Sequence, residues 1–210
     1  MIDKWLLKTR FNSLIERILK KFFLNKISAN QITIIALILG LLSALSIFLS
    51  DVLIWTTELL ICAAILMFLS FLFDAFDGIL ARLEGPTDFG GILDLFSDRT
   101  VEVFIIVSLI STDHIALMWP GIFSLGAIVL CISMFLLIGG IIKEENLDNV
   151  KKVIYYRHGL MERSETFIFL FLITVLIIIR FFLLWIFAIL VFITAILRLR
   201  DAYILLKEDS

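Results

Sequence analysis

Four aspartates, Asp74, Asp77, Asp94 and Asp98, lie in the stretch from Phe73 to Arg99 at helical spacings on either side of a chain break. Asp74 and Asp77 are three apart and Asp94 and Asp98 are four apart, so each pair shares one helix face. Gly85 and Pro86 interrupt the pattern between them. If two helices return antiparallel about that break, the pairs face each other. The flanks are strongly apolar, which makes the acids costly. An ionisable side chain at mid-bilayer costs about 2.5–3.5 kcal/mol on insertion scales, so four near the core would cost on the order of 10 kcal/mol, less where they sit shallow. Mutual repulsion adds to this. Cations offset both terms, and two divalent ions balance the formal charge. Oxygen-only ligands suit Mg2+ or Mn2+, and such ions with open positions hold diphosphates. Gly78 and Ala81, one turn beyond the first pair, leave room for a flat or bulky group against the helix backbone. Arg82 follows and can pair with a phosphate oxygen.

Acids of this kind need a bundle to hold them, and composition says which. Of the 210 residues, 61% are hydrophobic and 18% charged, the balance of an integral membrane protein. A net charge of −2 gives no basic surface for nucleic acid. Cys62 and Cys131 both sit in apolar runs and read as buried reduced thiols, with no disulfide framework or zinc spacing. The first thirty residues are charged and amphipathic and carry no cleavable signal pattern.

The expected architecture is all-α: six transmembrane helices preceded by an N-terminal amphipathic surface helix. Residues 1–28 hold seven basic residues and apolar positions near helical period, the mark of a helix lying on the membrane surface. Residues 29–205 form the transmembrane domain and 206–210 a tail. Ser28 or Asn30 caps the first span, residues 32–50. The second runs from about Thr57 to Phe73 and continues helical through Ala81, after a turn at Asp51–Trp55; Glu58 is solvated at its outer end. The third starts near Gly90, with Asp88 exposed in the loop before it. Glu102, one turn past Asp98, pairs with Arg99; lining an acceptor pocket is its alternative role. His114 reads as a loop histidine. Ile115–Ile142 is the fourth span, with Gly121, Gly126, Gly139 and Gly140 for close packing. Thr166–Leu197 would be roughly 48 Å long as one helix, against a core of about 30 Å, so it divides into two spans turning near Arg180. This layout puts sixteen basic residues on one side and Arg180 on the other, with Arg99 inside a span. Both termini and the loop between the acid pairs are then cytoplasmic.

Asp74-x-x-Asp77-Gly78-x-x-Ala81-Arg82, followed by Gly90-x-x-x-Asp94-x-x-x-Asp98, resembles the signature of the CDP-alcohol phosphotransferases and covers 25 of the 210 residues. Seven residues separate Arg82 from Gly90, where the family pattern usually has eight. The shortening lies in the loop, and the acid spacing within each helix is kept. The resemblance implies two divalent cations, Mg2+ or Mn2+, held by Asp74, Asp77, Asp94 and Asp98, with Asp98 also the general base. It implies contacts to a CDP-alcohol from Asn30, Thr33, Gly78, Ala81, Arg82 and Gly90, release of CMP, and a homodimer. An acceptor that carries phosphate would need cations nearby, and Arg157 and Arg163 are the candidates. Two other readings remain open at this stage: a membrane prenyltransferase, although its Asp-rich motifs lie far apart in a longer bundle, and a divalent-cation transporter, although no repeated halves are visible.

Overall fold

The computed structural model describes residues 27–54, 56–85, 87–144, 161 and 163–207. The expected N-terminal surface helix, Arg157 and the last three residues lie outside them. Every regular element among the described residues is a helix, and none is a strand. In chain order the helices are α1 (Ala29–Val52), α2 (Thr56–Glu84), α3 (Asp88–Thr112), α4 (His114–Glu144), α5 (Arg163–Val175) and α6 (Arg180–Lys207), with one 3-10 turn, Ile177–Ile179, before α6.

The helix starts follow from local chemistry. Ser28 caps α1 in a reciprocal box: the Gln31 backbone N–H donates to Ser28 Oγ at 3.4 Å, and the Ser28 N–H donates to Gln31 Oε1 at 3.0 Å. The Ala29 N–H donates to Glu84 Oε2 at 3.3 Å, tying the start of α1 to the end of α2. Gly85 ends α2 with φ +100°, a conformation that favours glycine. Thr87 then caps α3 by accepting from the Gly90 N–H at 3.0 Å.

Close packing fixes how these helices cross. Between α1 and α2, Ser70 Oγ donates to the Ala36 carbonyl at 2.7 Å and Ser43 Oγ to the Ala63 carbonyl at 2.8 Å. Gly40 on α1 lies so close to α3 that a methyl group there would collide with the Val101 side chain. Gly121 of α4 meets Ile110 of α3 in the same way, as expected for a small residue at a crossing. Gly126 and Gly140 face open space instead, so close packing does not extend to them. The shared core gathers Ile105, Ile106 and Leu109 of α3 with Ile173 of α5 and Leu184 and Phe187 of α6.

Successive helices alternate direction, so the bundle has two ends. At one, Arg180 is buried and donates through Nε to the Ile173 carbonyl at 3.0 Å, through Nη2 to the Thr174 carbonyl at 3.1 Å and through Nη1 to Thr112 Oγ1 at 2.8 Å. The open carbonyls at the end of α5 are thereby satisfied by the first residue of α6. The turn expected near Arg180 is present, and this arginine is what closes it. The other end holds the starts of α1, α3 and α5 and the ends of α2, α4 and α6.

Four helices, α1, α2, α4 and α6, are long and apolar enough to cross a membrane. The expected count of six is met only in part. Helix α3 carries Asp94, Asp98, Arg99 and Glu102, and α5 has 13 residues. The outward faces are apolar, with Ile38, Phe123 and Phe192 about half exposed, as a lipid-facing surface requires. This is a multi-pass membrane protein. Three smaller expectations need correction. Cys62 is exposed on an outward face rather than buried, although Cys131 is buried. His114 is not in a loop but opens α4, because the turn after α3 is a single residue, Asp113. Asp88 is exposed, but as the first residue of α3, where a carboxylate complements the helix dipole.

Candidate active site

The last turns of α2 and the first turns of α3 run antiparallel, and the two acid pairs meet across them at one end of the bundle. One carboxylate oxygen from each of Asp74, Asp94 and Asp98 lies within 4.8 Å of the others. Oxygens converging at that distance from two helices are spaced to hold a cation. Arg163, the first residue of α5, enters this group. Its Nη2 lies 2.9 Å from Asp94 Oδ1 and 2.8 Å from Asp98 Oδ1, and it also pairs with Asp74. Asp77 is not one of the three converging carboxylates and lines the adjoining cleft with Asp94. Its side chain is buried, and Oδ2 makes no hydrogen bond. A buried carboxylate oxygen without a donor is costly unless a cation meets it. The residues present therefore fit divalent ions: an all-oxygen donor set, converging oxygens, and one buried oxygen still needing positive charge.

Next to the acids is a cleft of about 310 Å³. Asn30 and Thr33 of α1, Asp77, Gly78 and Ala81 of α2, and Gly90 and Asp94 of α3 line it. Residues from three helices, expected on one nucleotide, thus share one wall. The cleft exists because small residues line it. A methyl group built on Gly78 would meet nothing within 4 Å. One built on Gly90 would lie 2.9 Å from Thr87 Oγ1 and 3.1 Å from Asn30 Oδ1, so Gly90 lets the starts of α3 and α1 approach. Thr33 is buried and donates to the Ala29 carbonyl at 3.1 Å. Arg82 is exposed on the last turn of α2 and is not part of the cleft wall.

A second cavity, of about 290 Å³, has Arg163 in its wall. Arg99, Arg163 and Arg198 line it together with Cys131, Phe135 and Met161. Arg198 reaches from α6 to α4, donating through Nη1 to the Cys131 carbonyl at 3.0 Å with its guanidinium 5.2 Å from the Phe135 ring centroid. Arg99 is held by Glu102, the expected ion pair. A small cavity of about 60 Å³ is bordered by Asp74, Asp98, Glu102 and Arg163, and shares Arg163 with the second cavity.

Sequence reasoning left Arg99 and Arg198 out of the site. The signal for Arg198 was helix parity: the sixth helix must return to the end where the acids lie. Glu84 was missed as well, since nothing local marks it as the partner of the α1 start.

No curated protein matches the chain. Two solved structures of phosphatidylinositol phosphate synthase from Mycobacterium tuberculosis share its fold. The one with CDP-DAG bound has a TM-score of 0.66 at 21% identity, covering 93% of this chain and 94% of that one. The one in complex with manganese and citrate has a TM-score of 0.65 at 21% identity, covering 91% and 88%. At that identity the likeness is one of fold. The family is carried by the sequence match, which runs over residues 26–196, from just before the cap of α1 into the second half of α6 and through both acid pairs. The chain belongs to the CDP-alcohol phosphatidyltransferase family and is a transferase of that type.

Proposed function

We propose that the enzyme transfers a phosphoalcohol group, phosphatidyl if the donor is CDP-diacylglycerol, to the hydroxyl of a phosphate-bearing acceptor and releases CMP. The observation that carries this is that the carboxylates adjoin two cavities of different character: Asp77 and Asp94 line a cleft of small residues, and Arg163, which holds Asp74, Asp94 and Asp98, lines a cavity with Arg99 and Arg198. Asp74, Asp77, Asp94 and Asp98 would hold two divalent ions, Mg2+ or Mn2+, which when bound supply Lewis acidity to the diphosphate and neutralise charge on the departing CMP.

The protein's own groups do the rest. Asn30, Thr33, Gly78, Ala81 and Gly90 receive the cytidine diphosphate. Glycines leave the α2 and α3 backbones open to it, and the nearby starts of α1 and α3 favour an anion. Arg82 reaches the phosphates from the rim. Arg99, Arg163 and Arg198 hold the acceptor's phosphate, whose oxygens match the guanidinium forks. Arg157 is the further acceptor contact that the sequence suggests. Asp98 touches Arg163 of the three-arginine cavity and converges with Asp94 of the cleft, so an acceptor hydroxyl would approach the donor beside it. It takes the hydroxyl proton as the acceptor oxygen bonds to the phosphorus that bears the alcohol. The bond from that phosphorus to the bridging oxygen breaks, and CMP leaves with the electron pair.

The bundle supports six crossings. Helix α3 connects α2 to α4, both long enough to span. Helix α5 leads from Arg163 at the acid end to the turn that Arg180 closes at the other. In this reading the acid end faces the cytoplasm, with both termini, because a six-span layout assigns sixteen of the eighteen basic residues to that side. The homodimer that the family resemblance suggests belongs to the same proposal. A transporter would need charge along a path through the bundle, whereas Asp74, Asp77, Asp94 and Asp98 gather at one end.

An acceptor screen tests the proposal. Purified protein is incubated with CDP-diacylglycerol, Mg2+ and a panel of alcohols with and without phosphate, and the lipid product is read by mass. Products from phosphorylated alcohols alone are expected. Products from unphosphorylated alcohols alone would contradict the acceptor assignment.

A further inference from the structure

Glu102 is a carboxylate with no evident reason to be in this bundle. It lies on α3 one turn deeper than Asp98 and is only 7% exposed. It stands outside the group of converging oxygens, which among the described residues comprises Asp74, Asp94 and Asp98. Its partner is Arg99 Nη1. The Arg99 Nε is buried and makes no hydrogen bond. A part-buried ion pair of this kind is weak evidence for stability, because the desolvation of the Glu102 carboxylate offsets the attraction, and well-packed apolar residues often do as well. The pair needs another explanation, and its position supplies one. Glu102 borders the small cavity beside Asp98, while Arg99 lines the three-arginine cavity. Glu102 itself is not among the residues lining that cavity, so it meets the cavity only through Arg99.

An arginine side chain has several rotatable bonds, and a free one would adopt many directions at the edge of a cavity. A carboxylate that takes one Nη1 hydrogen restricts the planar fork and leaves the second Nη1 hydrogen and both of Nη2 for an anion. We propose that Glu102 is a positioning residue that acts through Arg99: it fixes one of the three guanidinium groups that receive the acceptor's phosphate. This rests on the reading of the three-arginine cavity as the acceptor site.

The test uses full-length protein with CDP-diacylglycerol, Mg2+ and glycerol 3-phosphate, or whichever phosphorylated acceptor the screen selects. Glu102→Gln keeps the side chain's size and removes its charge. Its acceptor KM is expected to rise by about tenfold, with kcat at saturating acceptor and the KM for CDP-diacylglycerol within about twofold of the unsubstituted enzyme. A fall in kcat with unchanged acceptor KM would overturn the proposal and move Glu102 into the chemistry. Unchanged kinetics would overturn it too.

Route matters as much as size. In an Arg99→Met background, Glu102→Gln should add no further rise in acceptor KM, because the group it acts through is gone. A further rise would overturn the proposal. If Glu102→Gln fails to fold alone, the Arg99→Met/Glu102→Met pair removes both charges together. That pair should fold, bind CDP-diacylglycerol with Mn2+ as the unsubstituted enzyme does, and show the acceptor KM of Arg99→Met. A higher value would again count against action through Arg99. Arg198→Gln separates the two levels. If it leaves acceptor KM unchanged, the cavity is not the acceptor site and the reading beneath this one fails. If it raises acceptor KM while Glu102→Gln does not, only the role of Glu102 fails.

Discussion

Arg163 meets Asp94 through two contacts, Nη2 to Oδ1 at 2.9 Å and Nη1 to Oδ2 at 3.3 Å. The same Nη2 also reaches Asp98 and Asp74. The guanidinium therefore uses the oxygens that a divalent ion would use, and it also forms part of the three-arginine cavity. Two cations drawing on the same oxygens compete, and an anion that draws Arg163 into the cavity frees the carboxylates. Arg163→Gln is accordingly expected to bind Mn2+ more tightly, by about three- to tenfold, while its acceptor KM rises by about tenfold or more. Calorimetric titration with Mn2+ and steady-state kinetics check the two halves. Weaker Mn2+ binding would show that Arg163 supports the metal site rather than competing with it.

Asp98→Asn keeps the size of the side chain and removes its ability to take a proton. The variant should fold and bind CDP-diacylglycerol with metal, with kcat lower by about a thousandfold. Single-turnover measurement with bound donor is the check. Turnover at the unsubstituted rate would remove Asp98 from the base role.

Gly78→Leu exploits the open space at that position. The side chain meets no neighbour, so thermal stability should hold, but its bulk would enter the cleft. The KM for CDP-diacylglycerol should rise by at least about tenfold with acceptor KM unchanged. Unchanged donor KM would argue that the cytidine sits elsewhere.

Much of this site was legible because helical spacing carries it. The acid pairs at three- and four-residue intervals, the break at Gly85, the cap at Ser28 and the turn near Arg180 all depend on neighbours in sequence. What was not legible depends on pairing between distant helices. Arg198 reaches the site only because α6 returns to the acid end, and Glu84 meets Ala29 across 55 positions of sequence. Gly40 shows the same limit: it looks like any glycine in an apolar run, yet it sets the approach of α1 to α3. Cys62 was misjudged because an apolar run in a membrane protein has a lipid face as well as a core face, and local hydrophobicity does not tell them apart.

Gly40→Val tests that crossing. The added carbons would meet Val101 and Ser70, and overpacking of this kind costs about 1–3 kcal/mol. The melting temperature in detergent should fall. Activity of the remaining folded fraction should fall too, because α1 carries Asn30 and Thr33 to the cleft. An unchanged melting temperature would mean that α1 and α3 can move apart freely.

Release of labelled CMP from CDP-diacylglycerol by the purified protein, measured with and without Mg2+ or Mn2+ in the presence of a phosphorylated acceptor, tests the central claim most directly. CMP should appear only with a divalent ion, stop on chelation, and return when the ion is restored. Release that continues at the same rate after complete chelation would contradict a metal-dependent transfer built on Asp74, Asp77, Asp94 and Asp98.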